Sequence, residues 1–538
     1  MEKYLAILEV SQKQAYIFKS KKLEGNILNS AVIAHALSYD YIQEVLKEFG
    51  YSDEKNMVYS GGGHTILEFE NKDQARNLIS KLTYKIYCDF DELEVFAKIV
   101  KYNENISPSK NLYELSKQLE NKKSIRKAAF KQGSFGIEEI DSNTLDVKID
   151  EKLDKERNER SYRDELKEKE KHHTNKKYTP EGFSSVLKFE NLGGTKNENN
   201  FISVVHIDGN GMGKRVENLY EKYGSSEWNE FKKKIRDFSE NIDRDFKEAF
   251  VEMTKVVGDS ITNGSLKDKL SLSGREGKTY FPIRRIITAG DDICFVTEGR
   301  IGIECARIFI EKLCAKKNKI DNKYYSACAG VAIVHQKYPF YKAYEIAELL
   351  CSSAKRYGAK ISEGDNGSSV SSIDWHIEFG EVKDSLDEIR RDYETYDGNR
   401  LELRPYIIRA DESILKNKEN HFKLYPNFRK IIISLNNDKE KYGIGKVKEL
   451  RGALKEGLTA TSNYLKFNRM ENIIDNTSVI GKEISKDDLE KIGSGNKVMY
   501  DSFIKIPADE KLHCILFDSI ELIDTFLEIT DGGNENGN

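Results

Sequence analysis

The alternation of hydrophobic and polar positions predicts the same succession of elements twice along the chain. The first part begins with a buried strand over residues 3–10 and an amphipathic helix over about 27–49. A hairpin containing "YSGGGHTILEF" follows, and then a helix, a strand and a helix. The second part begins with the strand "FISVVHID" and helices, continues with the hairpin "RRIITAGDDICFVTE", and again ends with a helix, a strand and a helix. Each part therefore predicts one βαββαβ unit.

The two parts also agree in detail, which indicates an internal repeat. The segment "ILEVSQKQ" stands where "HIDGNGMG" stands, and the two glycine turns correspond. The βαββαβ order is that of the ferredoxin-like fold, an antiparallel sheet with helices on one face. The same fold forms the palm of many nucleotide polymerases and cyclases, although a fold alone does not determine function. We therefore predict an α+β protein with two ferredoxin-like palm domains.

Changes in composition place the domain boundaries. We assign a first palm domain to residues 1–135 and a second palm domain to residues 200–376. The dense mixed-charge sequence between them, within residues 136–199, is typical of a solvated helix or a flexible connector. Residues 377–538 show a 3.6-residue periodicity in "KVKELRGALKEGLTATSNYLKF" and "LFDSIELIDTFLEI", which predicts a C-terminal helical domain.

The turn of the second hairpin contains adjacent aspartates, Asp291 and Asp292. In a ferredoxin-like sheet the end of the first strand lies beside this turn, so Asp208, at the end of "SVVHID", should face both residues. Three carboxylates would repel one another there unless cations were bound. Phosphoryl transfer from nucleoside triphosphates commonly uses two divalent cations about 4 Å apart, held by oxygen ligands. We therefore predict Asp208, Asp291 and Asp292 as catalytic residues and as ligands of Mg²⁺ or Mn²⁺.

The first palm is predicted to be catalytically inactive. Glu9 occupies the position equivalent to Asp208, but Gly63 and His64 stand where the second palm has its two aspartates. One carboxylate will not hold two cations. A Gly-Asp-Asp turn on its own is ordinary surface-turn chemistry. A metal site in the second palm is favoured by Asp208 at the end of its first strand, and by the first palm, which forms the same turn without aspartates.

Residues around the aspartates are predicted to bind the nucleotide. The segment "GNGMGK" follows Asp208 and opens a helix, so its backbone N–H groups and the helix dipole could receive phosphates. A tight turn that requires glycine is the structural alternative. Cations near a helix C-terminus, as in "CSSAKRYGAK", could reach a triphosphate or could only stabilise the helix. The predicted nucleotide-binding residues are Gly209, Asn210, Gly211, Gly213, Lys214, Gly290, Lys355 and Lys360.

Composition narrows the class of protein. The 538 residues are 38% hydrophobic, enough for several domains. Lys+Arg 86 and Asp+Glu 90 nearly cancel, which does not favour a protein that binds nucleic acid over its whole surface. The seven cysteines include no C-x-x-C pair, and the N-terminal sequence is neither a signal peptide nor a membrane span. We expect a reduced, cytoplasmic protein with no structural zinc and no membrane partner.

Three motifs resemble a known family. "HIDGNGMGKR", "ITAGDDICFV" and "GVAIVHQKYPFYKAYEIAELLCSSAKRYGAK" are similar to the catalytic palm of the large polymerase/cyclase subunit of type III CRISPR effector complexes, whose hallmark is Gly-Gly-Asp-Asp. The first part resembles that family's degenerate first palm. Ala289 replaces the first glycine of the hallmark. The family's HD nuclease domain and its cysteine-pair zinc element have no counterpart, so we expect a short member that does not cleave DNA.

The resemblance implies conversion of ATP into cyclic oligoadenylates with release of pyrophosphate, in CRISPR-linked antiviral defence. It also implies metal ligation by Asp208, Asp291 and Asp292 and a triphosphate contact from Lys355, with other NTPs, CRISPR effector subunits and RNA as further candidate partners. Two alternatives stay open. One is a catalytically silent scaffold that binds RNA or protein partners, which the intact aspartates disfavour. The other is a diguanylate-cyclase-like enzyme that uses GTP, because "AELLCSSAKRYGAK" also resembles the closing helix of that family.

Overall fold

The structure, a computed structural model, contains two α+β units and a mostly helical C-terminal region. It describes residues 2–61, 63–90, 93–124, 177–192, 200–224, 226–272, 279–362, 369–380, 385–437, 442–471, 473, 502–506 and 509–530. Most of the charged connector predicted within residues 136–199 therefore lies outside the described residues.

The first palm is built in the predicted order of strands and helices. Its elements are β1 (Tyr4–Val10), α1 (Lys13–Ile17), α2 (Leu23–Ala36), α3 (Tyr39–Glu48), α4 (Asp53–Asn56), β2 (Met57–Gly61), β3 (His64–Phe69), α5 (Lys72–Asp89), β4 (Val95–Lys101) and α6 (Pro108–Ser124). The strands form an antiparallel sheet in the order β2-β3-β1-β4. The single helix predicted over about 27–49 is two helices, because the Ser38 hydroxyl accepts a hydrogen bond from the Tyr41 N–H and so begins α3.

The second palm repeats this order around a larger sheet. Its elements are β5 (Phe201–Gly209), α7 (Met212–Tyr223), α8 (Trp228–Asn263), β6 (Ile283–Ala289), β7 (Asp292–Glu298), α9 (Gly302–Cys314), β8 (Ala327–His335), α10 (Phe340–Ile361) and β9 (Ser371–Glu378). β5 pairs antiparallel with both β7 and β8, and β9 runs parallel to β8. The α+β class and the palm-type sheets predicted from the sequence are confirmed.

Helices cover both faces of the second sheet: α8 and α9, which belong to the βαββαβ unit, pack on one face as predicted, and α10, which follows the unit, covers the other face. Side chains alternate along β5, so Ser203 and His206 lie on opposite faces. Gly302 of α9 packs so close to Ser203 that an added Cβ would lie 2.2 Å from the Ser203 Cβ. Gly330, which pairs with His206, is covered by α10 instead. This double coverage explains why the sequence of β5 is mostly apolar, because both faces are buried.

The C-terminal region is mostly helical, as predicted, but it also contributes strands. Its elements are α11 (Leu386–Arg391), β10 (Tyr406–Arg409), α12 (Glu412–Leu415), α13 (Tyr425–Asn437), α14 (Ile444–Glu456), α15 (Leu458–Phe467), β11 (Phe503–Lys505), β12 (Leu512–Cys514) and α16 (Phe517–Glu521). β10 joins the second palm sheet, whose order is β10-β9-β8-β5-β7-β6. A buried ion pair of 2.6 Å between Arg390 and Asp374 of β9 also fixes the region to that palm.

The described end of the predicted connector packs on the second palm. The Tyr178 ring lies 5.6 Å from that of Phe250, and the Phe189 ring stacks on Phe340 at 5.1 Å. Residues 177–192 therefore belong structurally to the second palm and are not part of a solvated connector.

Among the helices of the described residues, none is long and apolar enough to cross a bilayer.

The two palms pack against each other through their helices. Phe18, which follows α1, places its ring 4.1 Å from that of Tyr344 in α10. In return, α8 lies along β2, where the Ser239 hydroxyl donates to the Tyr59 hydroxyl at 3.0 Å. Each palm therefore packs helices that follow its first strand against the other palm.

Candidate active site

The structure places the three predicted aspartates side by side. Asp208, near the end of β5, pairs in register with Asp292, the first residue of β7. The Gly209 N–H donates to the Asp291 carbonyl at 3.2 Å. Gly290 turns the hairpin with a φ of 64°, a conformation that favours glycine. The strand order thus brings these carboxylates together as the sequence predicts.

Lys355 extends from α10 to the same point. Its Nζ donates to Oδ2 of Asp208 at 2.6 Å and to the Gly209 carbonyl at 2.9 Å. The approach of α10 depends on Gly330, where an added Cβ would lie 1.9 Å from the Ala347 carbonyl oxygen. Although burial lowers the pKa of Lys355, the Asp208 charge and hydrogen bond raise it above the usual value. Lys355 is therefore a cation held against one of the three carboxylates.

The other two carboxyl groups carry raised pKa values. Burial, followed by the Asp208 charge, raises the pKa of Asp291 to about 6. Burial, the charges of Asp208 and Asp291, and that of Glu348 raise the pKa of Asp292 to about 8. Since 36% of the Asp292 side chain is exposed, solvent weakens this repulsion. A nearby cation favours the ionised form of such neighbouring carboxyl groups and so lowers their pKa values.

These raised pKa values predict a pH-dependent stability. The folded-state values of about 6 and about 8 exceed the ordinary 3.8, so the folded chain binds more protons than the unfolded chain between these limits. In EDTA, the melting temperature of the wild type should therefore fall, as the pH rises from about 5 to about 8, relative to an Asp291→Asn, Asp292→Asn variant. Calorimetry of both proteins measures the difference. Parallel pH profiles would contradict the raised pKa values.

The donor set fits a hard divalent cation. Mg²⁺ and Mn²⁺ prefer carboxylate oxygens, and Oδ1 of Asp292 is a buried oxygen that makes no hydrogen bond within the described residues. In the same part of the chain, no three His, Cys, Asp or Glu side chains converge closely enough to hold a metal ion. Oδ2 of Asp208 accepts from Lys355 instead. The residue types and their placement fit, and ligation would require the carboxylates to rotate towards a common point.

The glycines of "GNGMGK" shape the turn into α7. Gly209 has no room for a side chain, because an added Cβ would lie 2.9 Å from the Asp291 Cβ. Gly211 has a φ of 64° and directly precedes the helix. Open space surrounds the Cβ position of Gly213. This helix N-terminus therefore starts beside the aspartates with an uncrowded approach, the arrangement predicted for phosphate binding.

Two residues predicted to contact the nucleotide, Asn210 and Lys214, have other partners in the structure. Asn210 donates its backbone N–H to the Ser326 carbonyl at 2.9 Å and its side-chain amide to the Val370 carbonyl at 2.7 Å, so it fixes the turn from inside. Lys214 forms an exposed 3.2 Å ion pair with Glu217.

Lys360, which the sequence predicts to bind the nucleotide together with Lys355, lies elsewhere in the structure. Its charge acts on Asp509 of the C-terminal region. Lys360 lies five positions after Lys355 in α10. Because five positions turn a helix by well over one full turn, the two side chains leave α10 on different faces. The prediction that both lysines reach one nucleotide is not supported by this placement.

The first palm holds an altered copy of this site. Glu9 pairs in register with His64, as Asp208 pairs with Asp292. Lys123 of α6 forms a 2.8 Å ion pair with Glu9, which mirrors the pair of Lys355 and Asp208. Burial, and then the Lys13 charge, lower the pKa of His64 to about 4, so this ring is neutral. Lys123 is not among the residues predicted from the sequence, although "NKKS" ends α6 where "SAKR" lies in α10.

Residues of the first palm also extend to the second site. The Gln14 amide donates to the Tyr344 hydroxyl and to Oε1 of Glu348, both at 3.0 Å. Lys13 lies within electrostatic range of both Glu9 and Asp292, and burial lowers its pKa. This contact could not be predicted from the sequence, because no local pattern indicates which surfaces of two domains meet. The two copies of the site therefore lie close together at the junction of the palms.

Sequence comparison assigns a family to the second palm. Residues 201–362 match the family model described as "Cas10/Cmr2, second palm domain". The second palm is similar to the second palm domain of Cas10/Cmr2 proteins. The resemblance inferred from the sequence is thereby confirmed. A sequence comparison with curated proteins finds no match.

Solved structures are similar in fold over nearly the whole chain. A chain of the apo Csm1-Csm4 cassette aligns with a TM-score of 0.53 at 12% identity, over 98% of this chain and 70% of that chain. The Csm1-Csm4 cassette in complex with pppApA gives 0.50 at 14%, over 98% and 70%. The Csm1-Csm4 subcomplex of the type III-A CRISPR-Csm interference complex gives 0.50 at 13%, over 97% and 70%. At these identities the comparisons establish the fold alone.

Proposed function

We propose that this Cas10-like chain is a metal-dependent nucleotidyltransferase that converts ATP into cyclic oligoadenylate-type messengers and releases pyrophosphate, in CRISPR-linked antiviral defence. The observation that carries the proposal is the meeting of Asp208, Asp291 and Asp292 at one end of the sheet, with Lys355 against them. A related structure contains pppApA, a linear adenylate with a 5′-triphosphate, which supports ATP as the nucleotide.

Each residue then has a chemical task. Asp208, Asp291 and Asp292 would hold Mg²⁺ or Mn²⁺, and a bound cation would supply charge neutralisation at the attacking and leaving oxygens. Lys355 would exchange Asp208 for triphosphate oxygens. The N-terminus of α7 at Gly211 would receive phosphates through its free N–H groups.

The first palm would bind without catalysing. Glu9 is the only carboxylate of its register pair, because His64 stands opposite, and one carboxylate will not hold two cations. Its closeness to the second site, through Lys13, supports a role in holding a second nucleotide. The relatives in the solved structures are paired with Csm4, so we also propose assembly with CRISPR effector subunits and RNA.

Incubation of the pure protein with each NTP tests the proposal. With ATP and Mg²⁺ or Mn²⁺ we expect pyrophosphate and cyclic adenylates, identified by mass spectrometry, in the presence or absence of RNA. An Asp291→Ala, Asp292→Ala variant should form no product. The matched control, Asp387→Ala, Glu388→Ala, removes two adjacent exposed acids from α11 and should behave as wild type.

The outcomes separate the alternatives. Cyclic guanylates in place of adenylates would favour the diguanylate-cyclase-like enzyme. No pyrophosphate from any NTP, with or without RNA, would overturn the proposal in favour of a scaffold. Equal activity of the Asp291→Ala, Asp292→Ala variant and the wild type would place catalysis elsewhere.

A further inference from the structure

His206 lies directly beside the aspartate site. It precedes Asp208 on β5 by two residues, so both side chains lie on one face of the sheet. His206 pairs in register with Cys294, and Asp208 pairs with Asp292, which makes His206 and Asp292 diagonal neighbours. The Nδ1 atom of His206 lies 3.5 Å from Oδ1 of Asp292. The two side chains are therefore within a small movement of a hydrogen bond.

Neither of these two atoms has another partner in the described part of the chain. Nδ1 of His206 and Oδ1 of Asp292 are both buried and make no hydrogen bond there. His206 is 5% exposed, and its ring packs edge-on against that of Tyr344 at 5.4 Å. A buried polar atom without a partner destabilises the fold, because the hydrogen bonds it would make with water are not replaced. Packing alone therefore does not explain a histidine at this position.

The first palm shows what packing alone requires. Glu9 corresponds to Asp208, so Ile7 corresponds to His206, and Ile7 is buried at 4% exposure. Ile7 pairs in register with Ile66, where the second palm has Cys294. An aliphatic side chain thus fills this place in the copy that lacks the aspartate pair. The histidine occurs in the copy that has it.

Asp292 presents its two oxygens differently. Oδ1 is buried towards His206, whereas the side chain as a whole is 36% exposed. The exposed area therefore lies on the rest of the side chain, where a cation in the site could reach Oδ2. A donor on Oδ1 would fix the plane of the carboxylate and direct Oδ2 towards that cation.

We propose that His206 is a positioning residue for Asp292, donating its Nδ1–H to Oδ1 so that Oδ2 is directed towards the divalent cation. This inference rests on the proposed function, because it takes Asp292 to be a metal ligand. Loss of such a partner of a ligand typically weakens metal binding by ten- to a hundredfold.

Binding of Mn²⁺, measured by electron paramagnetic resonance with a non-hydrolysable ATP analogue, tests the proposal without turnover. His206→Phe keeps the ring but loses the donor, and it should weaken Mn²⁺ binding about tenfold or more. His206→Asn places an amide nitrogen where Nδ1 lies, and it should stay within about threefold of wild type. His206→Ile copies the first palm and provides a second donor-free variant if the phenylalanine does not fold.

Thermal unfolding in EDTA separates positioning from a structural role. His206→Phe should melt no lower than wild type, because it removes an unpaired buried donor. The matched control is His376→Phe in β9 of the same sheet. His376 has a hydrogen-bond partner, the Tyr393 hydroxyl at 3.2 Å, so this variant should melt lower and keep its Mn²⁺ affinity.

Two results would overturn the inference alone. One is wild-type Mn²⁺ affinity in both donor-free variants. The other is a loss of melting temperature in His206→Phe as large as that in His376→Phe. A wild-type protein that binds no Mn²⁺ with the ATP analogue would overturn both this inference and the proposed metal site.

Discussion

Asp208→Asn should reduce the rate of pyrophosphate release by about a thousandfold or more. The change keeps the shape of the side chain and removes one of the three carboxylates predicted to hold the cations. Charge stabilisation by a bound cation contributes several kcal/mol to the transition state, and each 1.36 kcal/mol is a factor of ten in rate. Initial rates at saturating ATP and Mn²⁺ provide the measurement. Asp208 also raises the pKa of both other aspartates, so the variant should flatten the pH dependence of stability as well.

The chain contains its own control for this substitution. Glu9 occupies the equivalent position in the first palm and pairs with Lys123, as Asp208 pairs with Lys355. Because His64 stands opposite Glu9, Glu9→Gln should leave the rate at saturating ATP within about tenfold of wild type. Equal losses in the two variants would show that both palms catalyse. No loss in either variant would remove the site from the mechanism.

Strand periodicity explains why the centre of the site could be predicted from the sequence. A strand buried on both faces is mostly apolar, with few uncharged polar residues, so its first carboxylate marks the end of the strand. In β5 that end is Asp208, and the order of strands in the fold places it beside the hairpin turn at Asp291 and Asp292. Local sequence and topology were sufficient because the residues lie on adjacent strands.

Relations between residues on packed helices, within one palm or between the two, could not be predicted in this way. Gln14 reaches Tyr344 and Glu348 only because α1 packs beside α10. The ion pair of Lys123 and Glu9 joins residues over a hundred positions apart in sequence. Lys360 was grouped with Lys355 because they are close in sequence, although helix geometry places them on different faces. Hydrophobic periodicity indicates neither which distant residues are in contact nor which face of a helix a charged side chain leaves from.

The C-terminal region shows a second limit. β10 has only four residues, Tyr406–Arg409, too few for an alternating pattern to distinguish it from the surrounding sequence. It is a strand because its backbone pairs with β9. Arg404 is completely buried and pairs with Asp518 at 3.1 Å, so charged residues form part of the interior of this region. Tertiary pairing, and not local propensity, determines these features.

Gly330→Ala should destabilise the second palm and also abolish product formation. The new Cβ would lie 1.9 Å from the Ala347 carbonyl oxygen and 2.4 Å from the Cys351 nitrogen. Both are backbone atoms of α10, so the whole helix must move away from β8. Overpacking of this kind costs about 1–3 kcal/mol, and occasionally more. Because α10 carries Lys355, its displacement should separate Lys355 from Asp208 as well. Calorimetry and the rate of pyrophosphate release measure the two effects.

A glycine in open space provides the comparison. Gly452 lies within α14, and among the described residues no atom beyond its chain neighbours and the backbone of its own helix lies within 4 Å of its Cβ position. Gly452→Ala should therefore raise stability by up to about 1 kcal/mol through helix propensity. A Gly330→Ala variant as stable and active as Gly452→Ala would show that close contact between α10 and β8 is not needed. Lower stability with retained activity would show that Lys355 reaches its position without that contact. Loss of both is expected, because one backbone contact sets the packing of α10 and the position of its lysine.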